Sequence, residues 1–145
     1  MTAMYEFRTA IERARASGEV DGLMALLAED VVFSSPVVYA PYRGRAAVEP
    51  LLRAVVRVFD DFQFTRSIGA PGAPNHAFVF RARIGDRELH GCDFLHTSDD
   101  GLIDEFYVMI RPLSGAMALA QAMTNQRPLG SLDLRQLRTE LQNGL

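Results

Sequence analysis

The stretch from Glu88 to Thr97 sets one carboxyl apart from the others in this chain. Alternation puts Leu89, Gly91, Asp93 and Leu95 on one face of the strand it predicts, and His90, Cys92 and His96 on the opposite face. If the first face is the inner one, Asp93 is flanked by Phe78, Phe80 and Ala82 of the preceding strand and by Phe106, Val108 and Ile110 of the following one. A carboxyl among such groups loses its water. Burial then disfavours the anion and raises the pKa toward the range where an aspartic acid donates a proton or holds a substrate oxygen near neutrality. The competing reading is an Asp93 satisfied by backbone amides or an arginine, which orders the sheet and does nothing else.

Other reactive groups carry less. His90 and His96 are six residues apart in an extended strand, roughly 20 Å, a span no single ion bridges, so no metal is expected. Polar residues on a sheet face that meets solvent or a second copy account for them better. Cys92 is the only cysteine; it forms no internal disulfide, fits a reducing compartment, and has no adjacent base to make it a nucleophile. His76 follows a Pro/Gly loop and reads as an exposed strand-end residue, and Asp99-Asp100-Gly101 reads as a turn, not a calcium loop. Tyr39 and Tyr42, in a connection before a helix, each offer a hydroxyl to a ligand or serve as amphipathic rim residues. No GxGxxG, P-loop or HExxH pattern occurs, which leaves nucleotide and zinc-protease chemistry unsupported.

All 15 basic residues are Arg, so Schiff bases and lysine general bases are excluded. The arginines are interspersed with acids, as in Glu12 to Arg15 and Arg135 to Glu140, and the net charge is -3, which argues against nucleic acid as a partner. At 145 residues and 48% apolar content the chain fits one domain, without the roughly 18 to 20 uninterrupted apolar residues of a membrane helix. The charged N-terminus lacks an apolar signal core, so a soluble cytoplasmic protein is expected.

The elements that position these groups can be read in order. Met4, Phe7, Ile11 and Ala14 stripe a first helix ending near Ser17-Gly18, with Glu6, Arg8, Glu12, Arg13 and Arg15 on its other side. Val20, Leu23, Met24 and Leu27 stripe a second, with Asp21 near its start. Val31 to Phe33 form a brief strand closed by Ser34-Ser35-Pro36. A third helix runs from about Ala46 to Phe59, with Val48, Leu51, Leu52, Val55 and Phe59 on its apolar face and Pro50 near its first turn. Phe62, Phe64 and Ile68 alternate with Gln63, Thr65 and Ser67 as a half-buried strand. Ala77 to Ile84, Glu88 to Thr97 and Leu102 to Ile110 make a meander that Pro112 stops. Gly115 to Met123 suits a helix against the sheet, Arg127-Pro128 breaks it, and Leu134, Leu137 and Leu141 stripe a terminal helix. Helices followed by a run of strands predict an α+β domain.

The segment Gly18 to Gly44, GEVDGLMALLAEDVVFSSPVVYAPYRG, resembles the opening of nuclear transport factor 2-like domains, and the spacing from Asp93 to Gly101 agrees as well. That superfamily includes ketosteroid isomerases, limonene epoxide hydrolases, scytalone dehydratases and SnoaL-type polyketide cyclases. The resemblance implies a curved antiparallel sheet wrapped around N-terminal helices as a cone, a core over residues 1–111 and a helical extension over 112–145. It implies a pocket lined by Ile11, Ser35, Tyr39, Leu51, Phe59, Phe78, Phe80, Leu95, Phe106, Val108 and Ile110 around Asp93. It further implies a homodimer through the outer sheet face, where Val79, Phe94, Tyr107 and Met109 project, and no cofactor.

Carried over residue by residue, the resemblance is incomplete. The isomerases' carboxylate base falls at Ser35 and their tyrosine donor at Ile11, so ordinary ketosteroid isomerase activity is not expected. The epoxide hydrolases' arginine falls at Gly91 and their second aspartate at Val108. Scytalone dehydratases use pocket histidines, whereas His90 and His96 face away. SnoaL-type cyclases, with one aspartate as acid and base, are violated least. Two functions stay open: a cofactor-free isomerase, cyclase, dehydratase or hydrolase acting on a small apolar molecule through Asp93, and a non-catalytic ligand-binding or dimerisation domain.

Overall fold

Six strands form one curved, unclosed sheet in the order β2-β1-β6-β5-β4-β3, with the helices packed against its inner face. The structure is a computed structural model that describes residues 3–126. In chain order the elements are α1 (Ala3–Ser17), α2 (Asp21–Met24), β1 (Leu27–Ser34), β2 (Tyr42–Arg43), α3 (Arg45–Val58), β3 (Asp60–Ile68), β4 (Asn75–Ile84), β5 (Arg87–Thr97), β6 (Ile103–Arg111) and α4 (Leu113–Gln126). This is the α+β arrangement expected. The predicted stripe Leu134, Leu137 and Leu141 lies outside the described residues.

α1 forms where its apolar residues recur every three or four positions: Met4, Phe7, Ile11 and Ala14 are buried. It stops at Gly18, whose φ of 79° only glycine adopts without strain, and the Gly18 amide donates to the Ala14 carbonyl at 2.7 Å. α2 is shorter than its stripe predicts, because Leu27 belongs to β1. The Leu26 carbonyl accepts from the Ile103 amide at 2.9 Å and Leu27 pairs with Ile103, so the sheet claims the backbone that a longer helix would need. β1 therefore runs from Leu27 to Ser34, well beyond the brief strand predicted, parallel to β6. Tyr42 and Arg43 add the short β2 on its other edge.

α3 buries Val48, Leu51, Leu52, Ala54 and Val56, and Pro50 sits inside it on the exposed side. β3 departs from simple alternation. Phe64 pairs with Phe80, but the register shifts between Phe64 and Arg66, so Ser67 comes opposite Phe78 and Ile68 turns outward, 51% exposed. The β4–β5 pairing keeps strict register and β5–β6 keeps it as far as His96, where the register shifts before Thr97 pairs with Ile103; Asp93 lies between Phe78 and Val108.

The concave space is filled unevenly. At one end Phe7 packs against Phe64, Phe78 and Phe106 with ring centroids 5.2 to 6.4 Å apart, and Leu95 is buried beside them. Toward the other end Phe59, Phe62 and Phe80 form a second aromatic group.

Candidate functional site

The open part of the cone begins beside Asp93. A cavity of ≈ 70 Å³ is bounded there by Phe80, Asp93, Phe106, Val108 and Ile110 from the sheet. Helices contribute Ile11 and Arg15 from α1, Leu52, Val55, Val56 and the following Phe59 from α3, and Leu119 from α4. A second cavity of ≈ 50 Å³ is lined by Ser35, Val37, Tyr42, Leu51, Ala120 and Met123. Phe33, Pro36, Val55 and Leu119 line both, so these four side chains are the partition between two halves of one apolar space.

Asp93 is the single buried polar or charged residue among the described ones, 5% exposed. Burial pushes its pKa up to about 8, with no hydrogen bond or neighbouring charge from the described residues contributing. Among the described residues every side-chain oxygen or nitrogen sealed from solvent has a hydrogen-bond partner and none bonds Asp93, so its carboxyl oxygens are not sealed and border the void. Burial favours the neutral form near pH 7, in which the carboxyl is a hydrogen-bond donor and an acid.

Gly91, two residues earlier on the same face, explains how the floor is built. A Cβ there would lie 2.1 Å from Cζ of Phe80, so the ring occupies the place a side chain would take. The position where the resemblance expects the epoxide hydrolases' arginine has no room for one. Ser35 is likewise committed: its Oγ accepts from the amides of Val37 and Val38 at 3.2 and 3.0 Å, fixing the turn after β1. It is no base. Ile11 presents only hydrocarbon to the cavity.

Of the residues expected around Asp93, Ile11, Phe59, Phe80, Phe106, Val108 and Ile110 line its cavity, and Ser35 and Leu51 line the adjoining one. Phe78 and Leu95 are buried in the filled end and line neither. Tyr39 is 80% exposed and also lines neither, whereas Tyr42 does line the adjoining cavity. Sequence reasoning missed Leu119, which only the docking of α4 brings in. It also set Arg15 on the polar side of α1. Arg15 is one helical turn past Ile11, a spacing that was available as a signal.

The outer face is built differently. His96 Nδ1 and Asp104 Oδ1 are 2.6 Å apart, and the hydrogen bond to Asp104 raises the histidine's pKa. His90 Nδ1 lies 3.3 Å from the Arg111 guanidinium. Cys92 is half-buried; desolvation and the neighbouring Asp93 push its thiol pKa up, away from a reactive thiolate. His76 is half-buried, not exposed as predicted, because Nε2 bonds the Ala73 carbonyl at 3.1 Å and its ring stacks on Phe78. Asp100 accepts from the Leu102 amide at 3.0 Å, closing the β5–β6 turn. Among the described residues no group of His, Cys, Asp and Glu is arranged to hold a metal, and no helix is long and apolar enough to cross a membrane.

Residues 7–106 match the profile of the SnoaL-like domain family. A steroid delta-isomerase from Pseudomonas aeruginosa is 35% identical, with a TM-score of 0.78 over 87% of this chain and 92% of that one. A bacterial protein of cystatin-like fold from Silicibacter pomeroyi is 30% identical, with a TM-score of 0.77 over 95% and 96%. The epoxide hydrolase/cyclase-like enzyme SalBIII shares the fold at 16% identity, TM-score 0.62, over 77% of this chain and 92% of that one. No curated protein matches the sequence.

Proposed function

The chain belongs to the SnoaL-like domain family, and on that premise we propose that it is a cofactor-free enzyme using Asp93 as the acid in a proton-transfer step on a small, mostly apolar molecule. Isomerisation, cyclisation, dehydration and hydrolysis each contain such a step: an oxygen gains electron density as a bond to carbon or hydrogen breaks, and a neutral acid beside it supplies the proton or a short hydrogen bond. The observation that carries the reading is the isolation of Asp93, whose carboxyl borders an apolar void, has no partner among the described residues, and is pushed by burial to a pKa of about 8. A structural aspartate would have been given a partner.

The steroid delta-isomerase relative makes ketosteroid isomerisation the obvious comparison. Ser35 and Ile11 argue against that activity here, since one hydroxyl is spent on backbone amides and the other position has no hydroxyl. One observation favours a second reading, a non-catalytic ligand-binding or association domain. Cavities of ≈ 70 and ≈ 50 Å³ are small beside the roughly 300–1,000 Å³ of typical ligand sites. A substrate larger than a few heavy atoms has to displace Leu119.

Carboxyl titration by NMR, with binding and turnover screens of small ketones, epoxides and lactones against wild type and Asp93→Asn, separates the two. The enzyme reading expects a titration near pH 8 and turnover that falls by on the order of a hundred- to ten-thousandfold in the variant. A 5-ene-3-ketosteroid in the same screen should not turn over. An ordinary Asp93 pKa with identical ligand responses in both proteins would remove the enzyme reading. For the assembly, Phe94, Tyr107 and Met109 are exposed on the outer face and support a homodimer through it.

A further inference from the structure

Of the four side chains that separate the two cavities, three are held where they are. Phe33 packs against Phe106 and Tyr42, with ring centroids 5.0 and 6.5 Å away, Pro36 has a fixed ring, and Val55 is β-branched and stiff at χ1. Leu119 is different. In a helix a leucine takes χ1 of about 180° or about −60°, so its branched end swings between two wells while the backbone stays in place. The backbone here is pinned: a Cβ on Gly115, one turn earlier in α4, would lie 2.7 Å from Cβ of Leu89, so the start of the helix rests directly on β5. Asp93, Val108 and Ile110 stand on the inner side of this partition, and Tyr42, Leu51 and Met123 on the outer side.

We propose that Leu119 is a gate between the two halves, and that the ligand spanning them is a neutral, elongated molecule with an oxygen at one end and a hydrocarbon tail. The inference rests on the reading of the cavity as a ligand site and adds to it the ligand's shape and the residue that decides it. Size is the first reason. Spaces of ≈ 70 and ≈ 50 Å³ are each too small for more than a few heavy atoms, so a larger ligand fits only where they are joined. Polarity is the second. Asp93 is the one acid in the lining and stands in the inner half, where the Arg15 head group is drawn over the Phe62 ring and onto the Val56 carbonyl. The outer half has no charged side chain, and its Ser35 hydroxyl is spent on the amides of Val37 and Val38. The oxygen therefore belongs inside and the tail outside. A rigid polycyclic body would have to displace Phe33, Pro36 and Val55 as well, which do not yield.

The simpler account makes Leu119 an ordinary core residue between two packing voids. Butanone and octan-2-one, titrated into the whole chain and followed by methyl NMR, tell the two apart. In wild type, butanone is expected to move the methyls of Val108 and Ile110 only, whereas octan-2-one moves these together with Leu51 and Met123 and shifts the Leu119 methyl carbons as the side chain changes rotamer. Leu119→Ala should bind octan-2-one about tenfold more tightly than wild type and butanone within about twofold. Leu119→Phe, which fills the passage, should lose about tenfold for octan-2-one alone. Leu51→Ala enlarges the outer half without touching the partition, and should leave octan-2-one within about threefold. If octan-2-one moves one set of methyls without the other, or leaves Leu119 unchanged, the inference falls without recourse to a variant, and the cavity reading stands through butanone. An equal gain for octan-2-one in Leu119→Ala and Leu51→Ala would mean added volume instead of a gate, and overturns it too. Should neither ketone bind wild type, both readings fail together.

Discussion

Asp93 on β5 and Asp104 on β6 are carboxyls of neighbouring strands that face opposite sides of one sheet, and their surroundings differ in nearly every respect. Asp104 is partly exposed and sits against a histidine 2.6 Å away, in water that screens the pair. Asp93 is buried, has no partner among the described residues, and borders a void. The outer pair has the composition of an ordinary surface interaction, which contributes little and demands little. Among the described residues the inner carboxyl is an uncompensated desolvation that no packing advantage explains, since a leucine in its place would fold at lower cost. The contrast teaches that a polar group's partner is better evidence about its role than its residue type. The same division runs along β5, where Gly91 and Asp93 serve the cavity while Cys92, Phe94 and His96 face outward.

The strongest way to break this comparison is to remove the inner charge. The folded pKa of Asp93 is raised to about 8 from the ordinary aspartate value, so the folded chain holds this proton more tightly than the unfolded one. Stability must therefore fall as pH rises from about 4 to about 8, through this residue by up to about 5 kcal/mol. Asp93→Asn should cancel that slope and be the more stable protein at pH 8. Urea unfolding of both proteins across the window measures it, and parallel slopes would mean that Asp93 has a partner in solution.

Next in size is the cavity floor. Gly91→Ala places a methyl against the rigid ring of Phe80, which Phe59 and Phe62 hold in turn, and should cost about 1–3 kcal/mol. Cys92→Ala, one residue along on the outer face, should cost less than that in the same thermal melts. Equal losses would show that the two faces are packed alike.

The smallest effect on the fold is expected from Tyr107→Asp, at an exposed outer position, where stability should change within about 0.5 kcal/mol. If the proposed homodimer forms through this face, light scattering should nevertheless find the variant monomeric at a micromolar concentration where wild type is a dimer. A wild type that is already monomeric there would leave the outer face as solvent-exposed surface.

Much of the arrangement was legible before any coordinates. A period of two, read over Glu88 to Thr97, put Asp93 on one face with Leu89, Gly91 and Leu95, because side-chain parity along a regular strand is set by backbone geometry alone; the pairing with Phe78 and Val108 makes that face the inner one. The same held for the stripe of α1 and for the two faces of the meander. Parity failed at Ile68, where a bulge opposite β4 flipped the strand, and the helical stripe failed at Leu27, which β6 captured for the sheet. Both outcomes depend on a partner strand that local sequence does not describe. Arg15 escaped notice because a long aliphatic stem with a charged head satisfies either side of a helix until the neighbours are known. The amino-acid sequence by itself thus determined the family, most of the elements and which residues share a strand face with Asp93. Only the tertiary structure decided that Phe7 fills one end of the cone, that Leu119 divides the other, and that Arg15 of α1 and Asp93 of β5 border one cavity, since the distance between elements depends on how side chains from remote parts of the chain interlock.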